Sequence, residues 1–167
     1  MNHRANAVET RPLSKQRLRL WLRILSAQRT VESALREKLR TGHASTLPRF
    51  DVLATLDRYR DGLRMSDLST HLKVSNGNVT GIVERLVGEG LVERVRVEGD
   101  RRAMRVRLTT DGMLRFAEMA AEHEAWVDDL LSGLSEEDLT AAIAALDKVT
   151  ARADAAATAQ DAKGDAA

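Results

Sequence analysis

Apolar residues recur along this chain with two different periods, and the switch between them divides it into elements. From Leu13 or Ser14 to about Arg40, Leu18, Trp21, Leu25, Leu35 and Leu39 share one stripe at about 3.6 residues per turn, which predicts a single long helix. Gln28 and Glu32 interrupt the stripe and Arg29 lies at its edge. Part of the helix is therefore expected against a second subunit, its polar residues paired across the interface or lining a cavity. TGHASTL (41–47) is a connector, and Pro48 suits the first position of a second helix capped by Thr46 or Leu47. Phe50, Val52, Leu53 and Leu56 give that helix its apolar face, and Asp61 with Gly62 turns the chain after Arg60.

Residues 66–92 read as two short helices joined by a tight turn. Ser66 is expected to cap the first, Leu68 and Leu72 face one way, and Lys73 closes it. Val74 is a lone apolar turn residue, expected between the two crossing helices, and Ser75 or Asn76 is expected to cap the second. There Val79, Ile82, Val83 and Leu86 form the stripe, while Gly77, Thr80, Gly81, Glu84 and Gly88 lie opposite, with Asn78 and Arg85 on a flank. A helix-interior glycine costs about 1 kcal/mol against alanine, so Gly81 and Gly88 are either neutral surface positions or mark close approach to another surface. Asn78, Thr80 and Arg85 beside them favour a groove-reading face, since asparagine bridges adenine edges and arginine forks onto guanine or phosphate. Glu84 fits only by accepting from a cytosine amino group or restraining a neighbouring arginine.

After Gly88 and Gly90 the period falls to two. LVERVRV (91–97) and AMRVRLT (103–109) are expected strands, joined by EGDRR into a hairpin whose tip carries Arg101 and Arg102. Such a hairpin after two short helices forms a wing. Its tip arginines are either solvated or enter a narrow minor groove, with Asp100 orienting Arg102. Thr110 is expected to cap a further helix to about Ser132, on which His123 and Glu124 are a buried polar pair, an interface contact or part of a ligand cavity. SEEDL (135–139) reads as a capping box opening the last helix, with Leu139, Ile143, Leu146 and Val149 in its stripe.

The fold class is therefore mainly α with a small β-hairpin, a winged helix-turn-helix lobe flanked by long helices; that these form a helical dimerisation region drawn from both chain ends is what the family resemblance given below implies. The expected divisions are a disordered leader (1–12), an N-terminal dimerisation helix (13–45), the winged lobe (46–110), C-terminal dimerisation helices (111–153) and a flexible tail (154–167). Within the lobe, 66–73 and 76–88 make the helix-turn-helix and 91–109 the wing.

At 167 residues the chain has room for a real core, and with no cysteine it has neither disulfides nor thiolate metal ligands. Neither a cofactor nor a metal site is expected. No run approaches the roughly 18 apolar residues of a membrane span, so a cytoplasmic protein without a membrane partner is expected. Net charge is only +1, yet residues 1–110 carry 22 basic against 12 acidic groups and residues 111–167 carry 4 against 13. The +10 and −9 halves fit a polyanion-facing part and a solvated acidic part, or ordinary helix-surface charge.

LPRFDVLATL, SDLSTHLKVSNGNVTGIVERLVGEGLVERV and GDRRAMRVRLTTDG together resemble the MarR family of winged helix-turn-helix regulators, from Leu13 to about Ala153. The resemblance implies a two-fold dimer built by the first and last helices, and a double-stranded DNA operator as partner. It places residues 75–88 in the major groove, with Ser75, Asn76, Gly77, Asn78, Thr80, Gly81 and Arg85 in contact, and Asp100, Arg101 and Arg102 at the minor groove. Many members carry a larger, often basic residue where this chain has Gly81. The family often releases DNA on binding small aromatic acids between the dimer helices and the DNA lobe. That implies a small aromatic ligand or its coenzyme A thioester as effector, with Trp21 and Phe50 as candidate walls and Arg29 and His43 as candidate carboxylate partners. The same stretches are similar to regulators of aromatic-acid and hydroxycinnamate catabolism.

A ligand-responsive repressor, working as a homodimer on a pseudo-palindromic operator, is the leading expectation. A winged-helix module for protein contacts is the alternative, and it would lack salt-dependent duplex affinity. An enzyme is not expected, because no nucleophile triad, phosphate-cradling glycine loop or metal-ligand cluster is present.

Overall fold

A computed structural model describes residues 12–97 and 100–164; the side chains of Asn76, Val97, Asp100, Arg101, Arg102, Ala103, Asp154 and residues 156–164 lie outside that description. Most of the expected leader and the end of the expected tail are likewise outside it. The elements run α1 (Leu13–His43), α2 (Leu47–Arg58), α3 (Met65–Leu72), α4 (Asn76–Gly88), β1 (Val92–Val97), β2 (Asp100–Leu108), α5 (Thr110–Leu131) and α6 (Glu136–Gly164). The mainly α architecture with one antiparallel hairpin is thus as the periodicities require. The chain divides into two compact units, one reaching Val127 and one beginning at Asp128.

In the first unit the core gathers the apolar faces of α2, α3 and α4 on the end of α1, the hairpin and α5. Leu39, Val52, Leu56, Leu68, Val79, Val83 and Leu86 are wholly buried. Each such side chain contributes roughly 1.5–3 kcal/mol through its removal from water. The hairpin pairs Val92 with Leu108 and Arg94 with Val106, with an irregularity between Arg96 and Val97. Leu63 adds a short third edge: its N–H donates to Val106 O at 3.0 Å and its carbonyl accepts from Val106 N at 2.8 Å. Gly62 makes this approach possible, since at φ +85° any Cβ would sit 2.9 Å from Val106 O.

Several local expectations are corrected. Ser66 lies inside α3, whose N-cap is Arg64 in extended conformation; the Ser66 hydroxyl instead meets Asp67 Oδ1 at 3.3 Å. Val74 is 46% exposed rather than buried. Lys73 adopts φ +53°, and Val74 N–H donates back to Ser69 O, which closes α3 and turns the Val74 side chain outward. Thr109, not Thr110, caps α5: its hydroxyl accepts from Gly112 N–H at 3.0 Å and donates to Gly90 O at 2.7 Å. β2 begins at Asp100, so residues 100–102, expected in the loop, have strand backbone.

In the second unit Ser135 and Asp138 form the expected reciprocal cap. Asp138 N–H donates to Ser135 Oγ at 3.2 Å, and Ser135 N–H donates to Asp138 Oδ2 at 3.1 Å. The Ser135 hydroxyl, which donates to Asp138 Oδ2 at 2.9 Å, and then the Ser135 N–H hold the Asp138 carboxyl below its ordinary range. α6 continues to Gly164, through most of the alanine-rich stretch expected as a tail. Its stripe of Leu139, Ile143, Leu146 and Val149 is exposed.

Candidate nucleic-acid interface

α4 carries the two-faced pattern that its sequence implies. Val79, Val83 and Leu86 are wholly buried behind it, whereas Gly77, Asn78, Gly81, Glu84, Arg85 and Gly88 are exposed in front, with Thr80 half-buried. A Cβ added at Gly77, Gly81 or Gly88 would meet nothing within 4 Å. Packing inside the chain therefore does not require glycine at these positions, and the bare front is open to an outside surface. Ser75 stands at the N-cap in extended conformation without a side-chain cap bond, and its carbonyl accepts from Asn78 N–H at 3.1 Å. Asn76 begins the helix, but its side chain is outside the described residues.

Glu84, the awkward member of this face, lies 3.7 Å from Arg94 Nη2 on β1, so the described geometry is that of a restraint on a neighbouring arginine. Arg94 and Arg96 are exposed on the wing stem, and Arg107 Nε donates to Glu93 Oε1 at 2.7 Å. Asp100, Arg101 and Arg102 are placed by backbone alone; the expected Asp100 contact to Arg102 falls outside the described residues. Between α3 and α4, Ser66, Thr70, Lys73 and Ser75 border an open hollow of about 480 Å³. Hydroxyls and an ammonium suit a backbone phosphate there.

The MarR family model matches residues 45–104, which span α2 to the start of β2. The HTH-type transcriptional regulator PecS of Dickeya dadantii is 34% identical over 102 residues, 60% of this chain and 61% of that protein. The HTH-type transcriptional repressor MdtR of Bacillus subtilis is 32% identical over 88 residues, 53% of this chain and 56% of that protein. The matches thus span less than two thirds of those curated relatives. A crystal structure of a MarR family transcriptional regulator from Silicibacter pomeroyi superposes with a TM-score of 0.70 at 34% identity, over 83% of this chain and 96% of that one. The chain belongs to the MarR family. The relatives are named as transcriptional regulators, not as enzymes.

The ligand residues expected of a MarR-family chain do not meet in one place. Trp21 is 52% exposed on α1. Arg29 is exposed on the same helix beside Thr30, Ser33 and Glu37. Phe50 is buried in the core, 5.6 Å from Phe116 and stacked on His123 at 4.4 Å. His43 is buried at the end of α1, its ring 5.9 Å from that of Trp126. Of the four, Arg29 and His43 each border a different hollow among the described residues. His123 faces the core and Glu124 is exposed, so they are not a buried pair. Arg49, Glu89 and Arg115, which surround His43, were not singled out by sequence, because their shared location depends on contacts between distant segments. Among the described residues no group of three His, Asp or Glu is arranged to hold a metal, and no helix is long and apolar enough to cross a membrane.

Proposed function

We propose that this chain is a DNA-binding transcriptional regulator that acts as a homodimer on a pseudo-palindromic operator, as a repressor relieved by a small aromatic acid or its coenzyme A thioester. One observation carries the reading: α4 is sealed behind by Val79, Val83 and Leu86 and bare in front at Gly77, Gly81 and Gly88. A helix of that build sinks into the major groove, with Asn78 and Arg85 reading base edges and Arg102 at the minor groove. The exposed stripes of α1 and α6 are the surfaces offered to the second copy, which would set two α4 helices about 34–36 Å apart. The name of the MdtR relative supports repression, and an acid effector need only bind better to the DNA-incompetent spacing of the two helices.

The test is anisotropy with an operator duplex and with unrelated duplexes. Asn78→Ala should alter base preference, whereas Arg102→Ala should weaken every duplex alike. Equal losses across all sequences for Asn78→Ala would remove its readout role.

A further inference from the structure

We propose that Arg49 is a positioning residue for the DNA-reading face, acting through Glu89 to fix the last turn of α4 against α2. Glu89 is the C-cap residue of α4, and its neighbours Gly88 and Gly90 bring no side chain to that turn, with Gly90 at φ +75°. The foot of α4 is thus a segment where the backbone itself sets few limits. Its one side chain is held from α2: Arg49 Nη1 donates to Glu89 Oε1 at 2.7 Å, and Nη2 donates to Oε2. Such a forked pair fixes orientation as well as distance. The Arg49 side chain is 20% exposed and that of Glu89 45%, and the Arg49 bonds hold the Glu89 carboxyl below its ordinary range. The Glu89 N–H in turn donates to the carbonyl of Arg85 at 3.0 Å, so the residue tied to α2 is hydrogen-bonded to one proposed to read bases.

Neither residue suits its own helix. A cation is unfavourable at a helix N-terminus and an anion at a C-terminus, yet Arg49 stands in the first turn of α2, which has no acidic residue, and Glu89 at the end of α4. Arg49 also leaves its Nε buried without an acceptor, which is a further local cost. Local helix stability therefore does not account for the pair, whereas a tie between the two helices does. Val79, Val83 and Leu86 hold α4 to the core, but apolar burial is non-directional. The forked pair adds direction at the end of the helix that carries Arg85. The consequence rests on the function proposed above: side chains that read base edges must meet them in register, whereas phosphate contacts carry no sequence information. Loss of the tie should lower discrimination between duplexes more than it lowers affinity for duplex in general.

Anisotropy of the full chain with a duplex from upstream of its own coding region and with an unrelated duplex tests the tie, each variant being confirmed as folded by circular dichroism. The readout is the ratio of the two Kd values. Arg49→Gln and Glu89→Gln should each lower that ratio about ten-fold, although they change the net charge in opposite directions. A simple charge effect would instead move affinity for both duplexes together, down in one variant and up in the other. Arg49→Lys, which keeps the charge but not the fork, should fall between the natural chain and Arg49→Gln. Amide hydrogen exchange without DNA should quicken several-fold at Glu89 and Gly90 in Arg49→Gln and in Glu89→Gln. A ratio within about two-fold of the natural one in either glutamine variant, or unaltered exchange at the foot of α4, would overturn the proposal. A natural chain that binds no duplex would sink the operator reading and the place of Arg49 in it together; one that discriminates, with ratios unaltered in the variants, would sink this inference alone.

Discussion

Glu84 on α4 and Arg94 on β1 lie 3.7 Å apart, which links the exposed front of α4 to the stem of the wing. Both side chains are substantially exposed, at 62% and 45%, so the pair adds little to stability. On the proposed DNA-binding face its effect would be on charge: the carboxylate would repel phosphate and occupies an arginine that could bind one. Glu84→Gln should therefore tighten binding to unrelated duplexes several-fold and steepen the salt dependence by about one counterion. Anisotropy titrations at a series of salt concentrations check this, and an unchanged slope would contradict it.

Gly112 brings α5 close against the backbone of the lobe. A Cβ there would stand 1.9 Å from Leu91 O, at the junction where Thr109 N–H also donates to that carbonyl at 3.1 Å. Gly112→Ala should cost about 2 kcal/mol or more, because backbone rather than a flexible side chain has to move. Urea unfolding of the variant measures the loss. At Gly81, where nothing lies within 4 Å, alanine should leave stability unchanged or raise it slightly.

Burial pushes His123, stacked on Phe50, below its ordinary value of 6.5. The folded state therefore binds its proton less readily than the unfolded chain. The contribution is present in full above pH 6.5 and is lost as pH falls through the lowered value. The fall in unfolding free energy from neutral to mildly acidic pH should be smaller in His123→Phe than in the natural chain, as read by urea titration at each pH.

Ile143 is 59% exposed in the stripe of α6. If that stripe meets a second copy, Ile143→Glu should move the sedimenting species from dimer to protomer while helical content stays the same. An unchanged dimer would place the interface elsewhere.

Much of the lobe was legible because burial on one face leaves a periodic mark. Val79, Val83 and Leu86 announce both the helix and its hidden side, and the alternation of Met104, Val106 and Leu108 against arginines announces a strand. Local rules erred where a neighbour competes for the same role. Ser66 is a good capping residue set one position inside the helix, and Thr109 takes the cap that Thr110 was given. Val74 is apolar yet faces outward, since Lys73 in the left-handed region decides its direction. The pocket around His43 was invisible for a different reason: Arg49 and Glu89 are 40 residues apart, and no period connects them.

On the proposed function, the bare front of α4 reads duplex DNA. Its most direct test is anisotropy of the intact protein with labelled duplex taken from upstream of its own coding region, beginning at about 50 mM salt. Saturable binding at two protomers per duplex, weakening steeply as salt is raised, is the predicted result. A flat titration at low salt with protein shown to be folded would contradict it.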